Sequence, residues 1–172
     1  SATGTAAGSQ ILVVEGKNSV DLTDCELEGA GPDGLMLYQS TSGDARDGTA
    51  ILRATDSRLA TTSGGPMIYV TNTDSEITLT DTRLSFPGDV LLNAAGNETN
   101  NWGVPGQNGG TVTLTGIRQK LKGDICCDAI SSVYLHLTEN SSLAGAINQE
   151  HTGKEVTVQL DESSVWEVTG DS

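Results

Sequence analysis

Aromatic side chains are scarce: one Phe, two Trp and three Tyr make up 3% of the 172 residues. A chain this poor in rings, and rich in Gly, Thr, Ser, Asn and Asp, cannot fill a bulky globular centre. Its aliphatic residues suit a thin core repeated in layers. Basic residues are also few. Nine Lys and Arg face 23 acids, for a net charge of −14, a balance that repels nucleic acid and anionic membrane surfaces. It suits a soluble, extended surface exposed outside the cell. Cysteine is limited to Cys25 and the adjacent Cys126 and Cys127. An odd count with no CxxC spacing excludes a disulfide scaffold and a thiolate metal centre. No apolar run approaches transmembrane length, so no membrane insertion is expected. Residues 1–10 lack the basic-then-apolar pattern of a leader. The expectation is one domain, 1–172, cut from a longer repeat protein.

What the chain does hold is one hexad, copied. Leu79-Thr80-Asp81-Thr82-Arg83-Leu84 is matched by Leu22-Thr23-Asp24-Cys25-Glu26-Leu27 and by Ala54-Thr55-Asp56-Ser57-Arg58-Leu59. Leu137 to Leu143 repeats it with one residue inserted, Leu160 to Val165 repeats it without the Thr, and Leu114 to Leu121 is the most degenerate copy. Each copy is an apolar residue, a short polar corner and a second apolar residue. The anchors Leu22, Ala54, Leu79, Leu114, Leu137 and Leu160 are separated by 32, 25, 35, 23 and 23 residues. A base period near 23 with two lengthened cycles is the signature of a solenoid.

Within each cycle the pattern reads as three short strands. The columns Val20, Leu52, Ile77, Val112, Leu135, Val158 and Leu22, Ala54, Leu79, Leu114, Leu137, Leu160 are aliphatic and predicted to face inward. The residues between them, Asp21, Arg53, Thr78, Thr113, His136 and Gln159, are polar and predicted to face outward. The fold class expected is all-β, a right-handed single-stranded parallel β-helix of about six turns with three short strands per turn.

The repeated L-T-D-x-x-L corners, the phrase Tyr69-Val70-Thr71-Asn72-Thr73-Asp74 and the segment Gly109-Gly110-Thr111-Val112-Thr113-Leu114-Thr115 resemble bacterial adhesin-like proteins. These are right-handed parallel β-helices of the pectin-lyase-like class, related in style to autotransporter passenger domains. The resemblance spans residues 11–172. It implies the fold above and an extracellular or bacterial cell-surface location. In that family the coil usually continues and capping elements close its ends. Neither end of this chain carries a cap motif, which implies a fragment or ends that self-associate, end to end or through strand edges.

Both insertions fall between the first and second strands of a cycle. One is Ser40 to Thr49; the other runs from Ala95 to Thr111 and includes Asn97, Asn100, Asn101, Trp102, Gln107 and Asn108. They are expected to flank the short turn Thr71-Asn72-Thr73-Asp74 and to wall a cleft. Trp102, Asn100, Asn101, Asn72, Asp74, Asp44 and Asp47 are the candidate ligand-binding residues. An exposed Trp beside amides suits a sugar, whose ring stacks while its hydroxyls meet the amides. The competing reading is that Trp102 folds back to anchor its own loop. Asp44, Asp47 and Asp74 offer hard oxygens for calcium, but no EF-hand or nonapeptide motif is present, so solvated loop acids and no cofactor are expected.

Other side chains read as structural. The outward column holds no carboxylate pair of the kind lyases and hydrolases need, and its threonines are too interrupted for an ice-binding ladder. His136 and His151 read as surface histidines. Cys127 reads as a small buried hydrophobe, Cys126 as packing beside it, and Cys25 as a substitute for the corner Ser57 and Thr82. The functional expectation is a non-enzymatic extracellular surface segment, binding glycans or a host-surface protein through the inserted loops. The alternative is a fragment of a polysaccharide lyase or glycoside hydrolase.

Overall fold

The computed structural model describes residues 2–6, through their backbone, and residues 8–172. The reading of residues 1–10 falls partly on Ser1 and Ala7, which lie outside the described residues. Strand β1 (Ala2–Ala6) comes first. The first cycle holds β2 (Leu12–Glu15), β3 (Ser19–Thr23) and β4 (Cys25–Gly29). The second holds β5 (Leu35–Tyr38), β6 (Ala50–Thr55) and β7 (Arg58–Thr61). The third holds β8 (Ile68–Thr71), β9 (Asp74–Thr80) and β10 (Arg83–Ser85). The fourth holds β11 (Val90–Ala94), β12 (Thr111–Ile117) and β13 (Lys120–Lys122). The fifth holds β14 (Asp124–Cys127), β15 (Ser132–Thr138) and β16 (Ser142–Ala144). β17 (Glu155–Leu160) and β18 (Val165–Glu167) close the series.

The strands form four sheets in which every pairing is parallel. Their orders are β1-β4-β7-β10, β14-β11-β8-β5-β2, β17-β15-β12-β9-β6-β3 and β13-β16-β18. Neighbours in a sheet are thus equivalent strands of successive cycles, an arrangement consistent with a parallel β-solenoid. Among the described residues there is no helix, and none long and apolar enough to cross a membrane.

Period-2 alternation sends one face of each strand inward. Leu52, Ile77, Leu79, Leu114, Leu135 and Leu137 are sealed from solvent, with Val14, Leu37, Val70 and Leu92 packed into the same core. Each such aliphatic side chain contributes ~1.5–3 kcal/mol on burial, so the fold gains stability layer by layer.

The hexads are the corners between second and third strands. In four copies the third residue takes positive φ, Asp24 at 52°, Asp56 at 49°, Asp81 at 46° and Glu139 at 55°, and at the corner after Ile117 Arg118 does so at 49°. Aspartate tolerates this left-handed region better than most residues, which explains why the corner repeats it. The fourth residue forms a ladder through the protein. The Cys25 amide donates to the Ser57 hydroxyl at 3.1 Å, the Gln119 amide to the Ser141 hydroxyl at 2.9 Å, and the Ser141 amide to the Ser164 hydroxyl at 3.1 Å. The Ser57 hydroxyl donates back to Thr55 O at 2.8 Å and the Cys25 thiol to Thr23 O at 3.3 Å, so the thiol does take the hydroxyl's part.

Three expectations require correction. The fourth cycle is displaced by two residues: Leu114 pairs with Ile77 and Leu135, and Gly116 with Leu79 and Leu137. The outward column therefore continues through Thr115, not Thr113, and the inward column contains a glycine. A Cβ at Gly116 would stand 2.9 Å from the Leu137 side chain and 3.2 Å from that of Gln119. The missing side chain makes room for Gln119, which is buried. Second, Ile147-Asn148-Gln149 is not a strand. Only an isolated bridge joins Ile147 to Ile125, because Asn148 turns at φ 53° and its side-chain oxygen accepts from the Thr152 and Gly153 amides. Third, Cys126 does not pack inward. The first-strand register sets it beside Asn93 on the outer face, while Cys127 follows Ala94 into the core. Burial pushes the Cys127 thiol up to about 11, and the thiol donates to Ser131 O at 3.1 Å.

Gln119 also interrupts a sheet. Its side-chain amide accepts from the Thr82 N–H at 2.9 Å and donates to Thr82 O. A side chain thus bridges the two corners, and β10 and β13 do not pair. The third strands are divided between a four-stranded and a three-stranded sheet at this seam.

Candidate functional site

The two long connections leave the core at equivalent points, after β5 and after β11, and the short one after β8 lies between them. A cleft of about 660 Å³ opens there, lined by Gln39, Ser40, Thr41, Asp47, Asn72 and Asp74, with glycines 43, 48, 103 and 109 and Thr73. Asn72 adopts φ 52° at its floor, and its amide donates to Gln39 O at 2.7 Å. Asp47 and Asp74 are exposed. The lining offers amides, hydroxyls and two carboxylates, a set that meets neutral polyhydroxylated ligands through hydrogen bonds.

The predicted residues divide. Asn72, Asp74 and Asp47 meet at this cleft, whereas Trp102, Asn100, Asn101 and Asp44 are not among its lining. The Trp102 ring packs on Tyr38, with centroids 4.6 Å apart and planes tilted by 45°. Its carbonyl accepts from Asn97 at 3.1 Å and from Asn108 at 2.9 Å. Asn100 and Asn101 are exposed, and the Asn101 carbonyl receives the Thr41 N–H at 2.7 Å, which ties the two loops together. Asp44 accepts from the Ser42 hydroxyl at 2.8 Å. Among the described residues no three His, Cys, Asp or Glu gather to hold a metal ion.

Amides expected to wall the cleft are spent inside the loop. Asn108 is 1% exposed, and its amide group donates to Asn97 O at 2.8 Å as well as to Trp102 O. The Asn97 amide reaches the Thr71 hydroxyl at 2.7 Å. Under the other loop, Glu15 accepts from the hydroxyls of Tyr38 and Ser40. Burial, and then the Glu15 carboxylate, hold the Tyr38 phenol above its ordinary range. Gln39 was not singled out from sequence. Its amide donates to Ser40 O at 2.8 Å, while its side-chain oxygen is buried with no hydrogen-bond partner among the described residues. That oxygen lies where a Cβ on Gly16 would sit 2.5 Å away, and Gly16 has φ 56°, so only glycine fits. The signal available was positional: Gln39 directly follows the first strand of the cycle that carries the insertion.

His136 lies in the outward column beside Thr115 and Gln159, and exposed His151 stands 3.5 Å from the Asp171 carboxylate. Neither borders the cleft. The chain matches no protein-family model, no curated protein and no solved structure.

Proposed function

We propose that the chain winds as a right-handed single-stranded parallel β-helix of about six turns, and that it serves as a non-enzymatic segment of an extracellular bacterial adhesin-like surface protein. In this reading it is a piece of a longer repeat protein, and the cleft between the inserted loops takes glycans. The observation that carries the reading is the cleft itself: a polar concavity on a fixed scaffold, with Asn72, Asp74 and Asp47 converging on one space. Per-repeat insertions on one face of a repeat array are a common way to build a binding surface. A host-surface protein contacting the same loops is the other partner class.

A glycan-array screen with and without EDTA tests this. Asp47→Asn with Asp74→Asn is expected to weaken a hit about ten-fold or more, the loss of about 1.4 kcal/mol, at unchanged melting temperature because both residues are exposed. A hit unaffected by the pair, or no hit on any glycan, overturns the cleft reading. EDTA sensitivity would bring calcium into the same two carboxylates. Trp102→Ala is expected to act differently. Its contact with Tyr38 supports the anchor role, so the melting temperature should fall by about 2–4 °C, as ~1 kcal/mol does in a chain of this size. Lost binding at full stability would instead give Trp102 the ligand role.

One observation favours the alternative, a polysaccharide lyase or glycoside hydrolase fragment. Asp47 and Asp74 share the cleft, and paired carboxylates are the basis of glycoside hydrolysis. Release of oligosaccharides from a bound polysaccharide, abolished by either Asp→Asn change, would establish it.

A further inference from the structure

The cleft between the inserted loops has spent its donors and kept its acceptors. Every side-chain donor group on its lining is engaged within the protein. The Ser40 hydroxyl donates to Glu15, the Thr41 hydroxyl to Asn101 O at 3.1 Å, and the Thr73 hydroxyl to Asp74 O at 3.2 Å. The Asn72 amide donates to Gln39 O at 2.7 Å, and the Gln39 amide to Ser40 O at 2.8 Å and Ala45 O at 3.4 Å.

The acceptors are in the opposite state. Among the described residues the exposed carboxylates of Asp47 and Asp74 form no ion pair and receive no hydrogen bond. Gln39, 8% exposed and on the same lining, holds a buried side-chain oxygen with no donor among the described residues. No cation answers these groups. The lining contains no Lys, Arg or His, in a chain of net charge −14. Arg46, beside Asp47 in sequence, and Lys17, whose stem lies by Gly48, are both off it. Apolar side chains are missing as well: besides polar residues the lining has only glycines.

We infer that the cleft takes the protonated amine of an amino sugar, a glycan unit bearing an ammonium in place of a hydroxyl or acetamide. The inference rests on the reading of the cleft as a glycan site and narrows its ligand. An ammonium carries three donors and no acceptor, the complement of side chains that have only acceptors left to offer. Its hydrogen bonds to the two carboxylates are charge-assisted and roughly twice as strong as neutral ones. A neutral glycan can give hydroxyls to the same oxygens but leaves both charges unmatched, and a uronate or sulfated sugar is repelled. A lysine or arginine side chain brings its charge on an apolar stem, for which the cleft has no apolar wall. The remaining hydroxyls of a sugar instead find acceptors in the hydroxyl oxygens of Thr41 and Thr73. The volume of about 660 Å³ is that of a small-molecule site.

Calorimetric titration with a glucosamine trisaccharide and with its N-acetylated counterpart tests the inference. Both are run in EDTA, at a pH where carboxylates are ionised and the sugar amine is protonated. The free-amine sugar is expected to bind about ten-fold or more tightly than the acetylated one. That preference should shrink as salt rises and as pH climbs through the titration of the amine. Asp47→Asn with Asp74→Asn keeps the size of both side chains and removes their charge. It should erase the preference at an unchanged melting temperature, because both residues are exposed. E162Q/E167Q removes as many charges from exposed positions in the last cycle and should keep it. Equal affinity for the two sugars, lost in the Asp47 and Asp74 double variant, would leave the cleft a glycan site and overturn the inference. Binding of neither sugar beside a neutral hit on the glycan array would separate the two readings in the same way; binding of no glycan at all overturns both. The inference also falls if the double variant keeps the preference, or if E162Q/E167Q loses it equally. Tighter binding of a trilysine peptide would overturn it too and assign the cleft to a basic protein segment.

Discussion

Leu114→Ala is expected to destabilise the protein by about 3–4 kcal/mol, within the usual span for a buried leucine truncated to alanine. Leu114 is sealed from solvent and lies between Ile77 and Leu135 in the central strands of the six-stranded sheet. In a layered core the space above and below the deletion is fixed by the backbone spacing of neighbouring strands, so little of the cavity can close. Thermal melts should fall by roughly 10 °C at ~2–4 °C per kcal/mol. Thr115→Ala, one residue on and facing outward, should stay within about 0.5 kcal/mol of wild type. A drop for Leu114→Ala no larger than that for Thr115→Ala would show that the inward face assigned to β12 is wrong.

Asn108→Ala is expected to cost about 2–3 kcal/mol, because it removes several hydrogen bonds at once and strands their partners. The Asn108 side chain donates to Asn97 O and Trp102 O and accepts from the Asn97 amide at 3.4 Å. Trp102 O would keep the Asn97 side-chain amide at 3.1 Å, but the Asn97 carbonyl would lose the Asn108 donor. The effect should be concentrated in residues 95–110, visible as faster amide hydrogen exchange there and at Thr41, which is bonded to Asn101. Glycan binding at the cleft should weaken with it. Exchange unchanged in this loop would mean that the Trp102 contact with Tyr38 holds it without Asn108.

The strands and corners were legible because two constraints coincided: inward aliphatics every second residue, and a polar hexad that can turn only through a residue tolerant of positive φ. The placement of the two insertions followed from the same count. The register of the fourth cycle did not, for Val112-Thr113-Leu114-Thr115 alternates equally well two residues either way. Gly116 settled it, and its reason lies in the bulk of Gln119, a residue with no distinctive pattern around it. Which loop amides line the cleft was also hidden. A long connection must satisfy its own backbone groups first, and sequence alone does not reveal that Asn97 and Asn108 do so inside their loop while Asn72, whose amide meets Gln39 O, lines the cleft. Cys126 was misplaced through a shift of one residue in the first-strand columns, enough to exchange inside for outside.

The seam at Gln119 has a consequence for how the protein comes apart. Three ladders of backbone hydrogen bonds join the first cycle to the second, the second to the third and the fourth to the fifth. The third and fourth are joined by two, with one glutamine amide standing in for the third, and the last strands join the fifth cycle by two and the Ile125–Ile147 bridge. In an array where stability is the sum of nearest-neighbour couplings, such a weak link sets the boundary between cooperative blocks. Of the two such junctions this one lies at the middle of the chain, so an N-terminal block ending at β10 and a C-terminal block beginning at β11 are expected to loosen separately, as different amide-exchange rates in the two would show.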